Sequence, residues 1–308
     1  MGFRIAVVGS GAIGSYYGAK LAHAGSDVNF LMRGDLSDVR RDGILVRGEG
    51  ENFRVAKINC YNSTKEIGPC DLVIIAIKAT SNSDLVDLVP PLLRERTILL
   101  TLQNGLGNDE FLADHFGAER VLGGLCFIAL HRISRTEIER YAYGHIVLGE
   151  FGRASQPRTR DVAAEINRAG VQCTVTDDLA LERWRKLIWN IPFNGLSIVA
   201  GGIDTAAIVG DKDLQQVTLA LMEEVITAAN KCGHTLSTDA WREHMERSEK
   251  MGPYKPSTLL DWEAGRPLEI EPMWGEPSRR AVAAGGKMPR TEIIYALLKQ
   301  LDKARQTR

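Results

Sequence analysis

A lysine and two asparagines recur at intervals of four residues in the second half of the chain. They are Lys186, Asn190 and Asn194, in a segment whose pattern predicts a helix. On a helix this spacing places the three side chains on one face, where an amine and two amides could protonate and orient a carbonyl substrate. By spacing alone, a solvated polar stripe is the commoner arrangement. The pattern therefore indicates a candidate site without deciding its chemistry.

A second pattern of chemical interest is the turn Gly9-Ser10-Gly11-Ala12-Ile13-Gly14. It follows an apolar run at residues 3–8 and opens a predicted helix that reaches Ala24. In this context the first glycine makes a tight turn, the second admits a pyrophosphate to the backbone, and the third allows helix and strand to pack closely. The turn is therefore predicted to bind a dinucleotide through its six residues. A purely structural glycine-rich turn is the alternative.

The residue type at the end of the second predicted strand bears on the choice between NAD and NADP. An NAD enzyme usually has an acid there for the ribose hydroxyls, whereas this strand ends Leu31-Met32-Arg33. A guanidinium can hold a 2′-phosphate through two hydrogen bonds, and an acid would repel it. Arg33 therefore favours NADP(H). A solvated loop arginine is the alternative, and Asp35 leaves a ribose contact open.

The elements that must position these groups alternate between short apolar runs and helical patterns in the first half of the chain. Buried parallel strands are predicted at residues 3–8, 28–32, 72–77 and 98–102. A hairpin at the sheet edge is predicted over 44–46 and 53–58, and residues 121–148, punctuated by Tyr143-Gly144, predict further strands. This pattern indicates an α/β domain with a Rossmann-type doubly wound sheet over residues 1–177.

The rest of the chain is almost entirely helical in pattern. After a predicted helix over 158–168 and a strand over 171–175, further helices are predicted over 214–231, 238–250 and 290–305. We therefore predict a second, all-α domain over residues 178–308.

Two polar residues follow predicted parallel strands directly. Ligands of such sheets bind beyond the carboxyl ends of the strands. Lys78 and Asn104 lie at these ends and are therefore candidate site residues. Ordinary loop residues are the alternative, because loops favour both types.

Composition limits the kinds of partner that the chain is expected to bind. Its 308 residues are enough for two domains with separate cores. Lys and Arg number 38 against 39 Asp and Glu, so no charge excess favours nucleic acid or an anionic membrane. No apolar run approaches the roughly 18 residues of a membrane span. We therefore expect a cytoplasmic protein that acts on small molecules.

The cysteines and histidines show no metal-binding pattern. The five cysteines include no C-x-x-C pair, and the six histidines include no H-x-x-H pair. Scattered and odd in number, the cysteines are typical of reduced thiols in a cytosol. We therefore predict no metal site.

Several of these segments together resemble the ketopantoate reductase family. The resemblance rests on Trp184-Arg185-Lys186-Leu187 with Asn190 and Asn194, Gln103-Asn104-Gly105-Leu106-Gly107, Ile77-Lys78-Ala79, Arg33, and Leu268-Glu269-Ile270-Glu271. They occur in the family's order and span nearly the whole chain. The resemblance implies a Rossmann domain followed by an all-helical domain, NADPH as cofactor, and reduction of the 2-ketoacid ketopantoate in pantothenate synthesis.

The resemblance also implies roles for individual residues. Lys186 is implied to be the catalytic proton donor to the ketone oxygen, and Glu269 to accept from the substrate's hydroxyl end. For Lys186, an ion pair with Glu182 across one helical turn is the alternative. Substrate contacts are implied for Asn190, Asn194, Ser257 and Asn104. Because Asn104 would lie between nicotinamide and substrate, it belongs to the implied cofactor site as well, with Lys78 and Arg33.

The departures from the family pattern concern the substrate pocket. After Glu269 the usual Asp, Tyr and Asn-Gly are replaced within Ile270-Glu271-Pro272-Met273-Trp274-Gly275, where Pro272 should bend any helix. Tyr254 replaces a usual substrate-binding asparagine, and Pro192 is expected to bend the helix of Lys186 in the same way.

These departures leave two further functions open. One is reduction of another bulky 2-ketoacid or of an imine on the same fold. The other is a non-catalytic NADP(H)-binding sensor, because fold and cofactor site do not establish turnover. The sequence also leaves a homodimer open.

Overall fold

The computed structural model describes residues 2–306. The chain forms two compact units. The first comprises the residues up to Gln103 together with Asn108–Leu179, and the second comprises Asn104–Gly107 and the residues from Ala180 onward. The short segment Asn104–Gly107 therefore groups with residues that follow it much later in the chain.

The first unit is built on one twisted sheet. Its strands are β1 (Arg4–Val8), β2 (Asp27–Leu31), β3 (Ile44–Gly48), β4 (Glu51–Val55), β5 (Asn59–Tyr61), β6 (Leu72–Ile75), β7 (Ile98–Thr101), β8 (Val121–Arg132), β9 (Glu137–Glu150) and β10 (Cys173–Val175). They are ordered β4-β3-β9-β8-β7-β6-β1-β2-β5, and β10 pairs with β9. Because β1 lies between β2 and β6, the chain order reverses at β1, which is where such sheets bind their ligands.

The helices of the first unit connect these strands. They are α1 (Ala12–His23), α2 (Leu36–Asp42), α3 (Thr64–Ile67), α4 (Leu85–Leu88), α5 (Asn108–Phe116) and α6 (Pro157–Arg168), with short 3₁₀ helices at Ala79–Asp84, Pro90–Leu92 and Ala118–Arg120.

The central strands are apolar on both faces because both faces are covered. Along β1, Ile5 and Val7 belong to one buried cluster, and Ala6 and Val8 to another. The four strands predicted as buried and parallel are β1, β2, β6 and β7, and their pairings are all parallel. The prediction of a Rossmann-type doubly wound sheet is thereby confirmed.

The hairpin and the later strands show where local pattern has limits. β3 and β4 pair antiparallel, with β4 at the sheet edge, as predicted. β8 and β9 also pair antiparallel, but Tyr143-Gly144 lies inside β9 and not between strands. The pairing register between β8 and β9 shifts opposite these two residues, and Tyr143 has a positive φ of 59°. Tyr143-Gly144 therefore marks a β-bulge.

The described part of the second unit is helical, as predicted. Its helices are α7 (Leu179–Val199), α8 (Thr205–Gly210), α9 (Lys212–Lys231), α10 (Trp241–Met251), α11 (Ser257–Glu263), α12 (Glu276–Ala283) and α13 (Pro289–Gln306), and a π-helical turn covers Glu271–Gly275. They enclose a core that includes Trp184, Phe193 and Trp274. Among residues 2–306, no helix combines the length and apolar character needed to span a bilayer.

Candidate active site

The three glycines of the turn after β1 have three different surroundings. Gly9 has a φ of 109°, and a Cβ there would collide with the backbone of Ala76 and Ile77 beyond β6. A Cβ at Gly14 would collide with the carbonyl oxygen of Gly9. Gly11, in contrast, has nothing within 4 Å of where its Cβ would lie. The first and third glycines are thus required by packing, and the second leaves room for a ligand.

The start of α1 fits an anion. The helix begins after Gly11 with no side-chain cap and no acidic residue in its first turn. Its first N–H groups and the positive end of its dipole suit a pyrophosphate. Ser10 fixes the turn, since its Oγ donates to the carbonyl of Leu31 at 2.7 Å. These residues therefore fit the dinucleotide that the sequence predicts.

Gln103 joins the ends of β6 and β7. The side chain is 5% exposed, and its Nε2 donates to the carbonyl of Ile77 at 3.0 Å and to Asn82 Oδ1 at 2.7 Å. Asn82 in turn donates to Asn108 Oδ1 at 2.9 Å. The half-buried Lys78 follows Ile77 directly, so this amide network fixes the segment that carries it. Sequence reasoning assigned no role to Gln103 or Asn82, although Gln103 stands at a strand end.

Arg33 lies exposed beyond the end of β2. Its Nη2 donates to Asp84 Oδ2 at 2.7 Å, and 73% of its side chain is accessible to solvent. The carboxylate of Asp35, the alternative ribose contact, accepts from Arg132 at 2.6 Å and lies 3.5 Å from Arg135. Arginines thus already neutralise the acid near this strand end, which favours a phosphate-bearing cofactor there.

Lys186 projects from α7 toward an amide acceptor. Its Nζ donates to Asn104 Oδ1 at 2.8 Å, and its side chain is half-buried. Glu182, which the sequence offered as an ion-pair partner, pairs with Arg185 at 2.5 Å. The structure thus joins two predicted site residues that lie 82 positions apart.

Asn194 connects α7 to the start of α11. Its Oδ1 accepts from the backbone N–H of Thr258 at 3.1 Å and from Ser257 Oγ at 3.4 Å. Its Nδ2 donates to the carbonyl of Asn190 at 3.0 Å. Both ends of this fully buried amide therefore have partners in the protein, and through them Asn194 positions the exposed Ser257.

The altered segment after Glu269 forms the π-helical turn. Trp274 is fully buried and its Nε1 donates to the carbonyl of Ile191 at 3.2 Å, so it belongs to the core. Glu269 is half-buried just before this turn. Pro272 was expected to bend any helix here, and the structure shows a π-helical turn at this position.

Glu271 at the start of the turn is a paired carboxylate. Burial alone would raise the pKa of the Glu271 carboxyl, but hydrogen bonds from Tyr295 and Arg279 outweigh that effect and hold the pKa below its usual value. The side chain therefore stays ionised at neutral pH and ties the turn to α12 and α13.

Among residues 2–306, no three His, Cys, Asp or Glu side chains are grouped as metal ligands would be.

Comparison with known families decides where this fold and geometry belong. The chain matches the family model described as ketopantoate reductase PanE/ApbA over residues 5–153, and the model of its C-terminal domain over residues 178–302. The chain belongs to the ketopantoate reductase family. The resemblance drawn from its motifs is thereby confirmed.

Individual ketopantoate reductases are similar over their whole length. A 2-dehydropantoate 2-reductase from Nostoc sp. is 36% identical, with 99% of this chain and 97% of that protein covered. The crystal structure of the enzyme of that name from Geobacter metallireducens has a TM-score of 0.94 at 41% identity, covering 96% of this chain and 99% of the other. That from Methylococcus capsulatus has a TM-score of 0.89 at 32% identity, covering 98% and 97%.

Within this ketopantoate reductase, replacing Asn194 by alanine will destabilise the second unit. The change leaves the buried N–H of Thr258 without an acceptor, which costs about 1–3 kcal/mol in the free energy of unfolding. Urea unfolding followed by tryptophan fluorescence measures the free energy of unfolding of this unit, because the unit contains all five tryptophans, Trp184, Trp189, Trp241, Trp262 and Trp274.

The matched control for Asn194→Ala is Asn230→Ala on α9. Asn230 Oδ1 also accepts from a backbone N–H, that of Leu236 at 2.7 Å, but neither residue is one of the predicted site residues. Both variants should lose stability, whereas only Asn194→Ala should raise the KM for the ketoacid, because Ser257 loses its partner. Equal ketoacid KM values in the two variants would contradict this role.

Proposed function

We propose that this chain reduces ketopantoate to pantoate with NADPH. The observation that carries the proposal is the 2.8 Å hydrogen bond from Lys186 Nζ to Asn104 Oδ1, in a chain that belongs to the ketopantoate reductases. The relatives to which the chain is similar are named 2-dehydropantoate 2-reductase, and 2-dehydropantoate is another name for ketopantoate. The proposal places the reaction in the cytoplasm, in pantothenate biosynthesis, and leaves the oligomeric state open.

The first unit would hold the cofactor. The pyrophosphate would lie at the start of α1, where Gly11 leaves room and the helix N–H groups are uncapped. Arg33 would bind the 2′-phosphate, and Lys78 would contact the cofactor from the segment beyond β6. Bound NADPH supplies the hydride that reaches the ketone carbon of the substrate.

Lys186 would complete the reduction at the oxygen. As the ketone carbon gains hydride, its oxygen gains negative charge and takes a proton from Lys186 Nζ, so that C=O becomes CH–OH. Asn104 holds the ammonium group in one orientation by accepting a hydrogen bond from it. A positioned donor of this kind acts where charge develops in the transition state.

Three other residues would orient the ketoacid. Glu269 would accept from the hydroxyl end of the substrate, and Ser257, exposed at the start of α11, would donate to its carboxylate. Asn190 would orient the substrate beside Lys186, one turn further along α7. Asn194 would act indirectly, since its amide already contacts Asn190 and Ser257.

A different 2-ketoacid is a second candidate substrate, and Tyr254 favours it. The ring of Tyr254 lies 6.2 Å from that of Trp189, on the segment before Ser257. Two aromatic rings would suit a bulkier apolar substituent than the family's usual asparagine does. Trp274 gives no support to this alternative, because it is fully buried in the core.

The test is NADPH oxidation by the purified protein with ketopantoate beside a panel of other 2-ketoacids. We expect the highest kcat/KM with ketopantoate and lower values with aryl-substituted ketoacids. A higher kcat/KM with an aryl ketoacid would favour the second candidate. Tight binding of NADPH with no turnover on any ketoacid would contradict both and indicate a sensor.

A further inference from the structure

The π-helical turn at Glu271–Gly275 contains a backbone carbonyl with no donor in its own helix. In a π-helix the N–H of residue i+5 donates to the carbonyl of residue i, as Glu276 does to Glu271. The next bond of this kind would need an N–H at position 277, and Pro277 has none. The missing N–H of Pro277 thus leaves the carbonyl of Pro272 available to a donor from outside the helix.

The available carbonyl of Pro272 anchors the Asn104–Gly107 segment. The backbone N–H of Leu106 donates to it at 2.9 Å. Gly105 has a φ of 82°, and a Cβ there would lie 2.7 Å from the Pro272 Cβ and nearer still to its carbonyl. The loop therefore packs directly on the turn, at a position that only glycine permits.

The anchored loop carries the acceptor of Lys186. Asn104 directly precedes Gly105, and its Oδ1 accepts from Lys186 Nζ at 2.8 Å. A polar loop residue is ordinarily among the more mobile parts of a protein. Here a backbone hydrogen bond two residues away restrains it, and the buried Leu106 side chain adds a second restraint.

The same turn also contacts the helix that carries Lys186. Asn190 Nδ2 donates a weak hydrogen bond to Met273 Sδ at 3.8 Å, and Trp274 Nε1 donates to the carbonyl of Ile191 at 3.2 Å. Three consecutive residues of the turn thus contact either the loop of Asn104 or the middle of α7. The π-helical turn therefore contacts both the loop of Asn104 and the helix of Lys186.

We propose that Pro277 makes the π-helical turn a positioning device, in which the carbonyl of Pro272 fixes the Asn104 loop and so orients Lys186 for proton transfer. The proposal rests on the proposed function for the role of Lys186 as proton donor. Its structural part, the restraint of the loop by the turn, stands independently of the substrate.

The experiment compares Pro277→Ala with the wild-type enzyme. Alanine supplies an N–H that can donate to the carbonyl of Pro272, where it competes with the N–H of Leu106. We expect hydrogen exchange of the Leu106 amide to accelerate about ten-fold in the apo protein. We also expect kcat to fall about ten-fold while the KM for NADPH changes less than about two-fold, because misorientation of the proton donor affects the chemical step.

Two further variants sharpen the test. Pro157→Ala, at the start of α6 in the first unit, is the matched control and should change neither amide exchange at Leu106 nor kcat. Gly105→Ala disturbs the same contact from the loop side and should reproduce the loss of kcat without loss of NADPH binding. Circular dichroism establishes that each variant is folded.

Unchanged exchange at Leu106 in Pro277→Ala would overturn the proposal, and so would faster exchange with an unchanged kcat. If none of the ketoacids supports NADPH oxidation by the wild-type enzyme, the proposed function fails. In that case the exchange measurement still supports or overturns the restraint of the loop by the turn.

Discussion

Replacing Lys186 by alanine will lower kcat with ketopantoate by about 10²–10⁴-fold, the usual contribution of a positioned general acid. The substitution removes the half-buried amine whose Nζ donates to Asn104 Oδ1 at 2.8 Å. The dinucleotide turn belongs to the other unit, so the affinity for NADPH should change little. Steady-state kinetics with ketopantoate varied at saturating NADPH, together with NADPH binding by fluorescence, measure the two effects separately.

Two neighbouring substitutions serve as controls for Lys186→Ala. Lys186→Arg keeps the positive charge, but a guanidinium does not give up its proton near neutral pH, so this variant should be almost as slow. Arg185→Ala removes an exposed cation that pairs with Glu182 and should retain kcat within about two-fold. A kcat near the wild-type value in both Lys186 variants would contradict the role of Lys186 as proton donor.

Replacing Arg33 by alanine will raise the KM for NADPH by about 10–100-fold and leave the KM for NADH nearly unchanged. Hydrogen bonds to a charged partner contribute about 1.5–3 kcal/mol, and each 1.4 kcal/mol is a factor of ten. Only NADPH carries the 2′-phosphate that Arg33 would bind. The ratio of kcat/KM for the two cofactors, measured at a fixed ketopantoate concentration, shows the effect.

Asp84 provides the matched control for Arg33→Ala. Its carboxylate pairs with the Arg33 guanidinium at 2.7 Å, at an exposed position where an ion pair contributes about 0–1 kcal/mol. Asp84→Asn should therefore release Arg33 and lower the KM for NADPH by less than about five-fold. Equal changes for NADPH and NADH in Arg33→Ala would show that Arg33 does not recognise the phosphate.

The fold was largely predictable because its determinants are local. The apolar runs that became β1, β2, β6 and β7 are buried on both faces, and such runs are conspicuous in a sequence. The glycine turn was predictable for the same reason, since Gly9 and Gly14 are required by contacts within one strand–turn–helix segment and its neighbour.

The partners of the site residues were not predictable from local spacing. Helical spacing suggested an ion pair between Lys186 and Glu182, but in the structure Lys186 donates a hydrogen bond to Asn104, 82 positions away. The family resemblance placed Asn194 among the substrate contacts, and spacing gave no indication that its buried amide already contacts Asn190 and Thr258. Such pairs depend on how separate elements pack, which periodicity along one helix does not encode.

The altered segment shows the same limit for backbone structure. Pro272 correctly predicted an interruption of helical geometry, but not its form as a π-helical turn. The donor to the carbonyl of Pro272 is the N–H of Leu106, which lies far away in the sequence and could not be identified from it. Tyr143-Gly144 was a similar case, since the bulge there depends on the register with β8.

The most direct test of the central claim follows the hydride itself. The enzyme would be incubated with ketopantoate and NADPH carrying deuterium at C4 of the nicotinamide, with each C4 epimer used in turn, and the product examined by mass spectrometry and NMR. Hydride transfer predicts pantoate with one deuterium at C2 from one of the two epimers. Oxidation of NADPH without deuterated pantoate, or no product at all, would contradict the account.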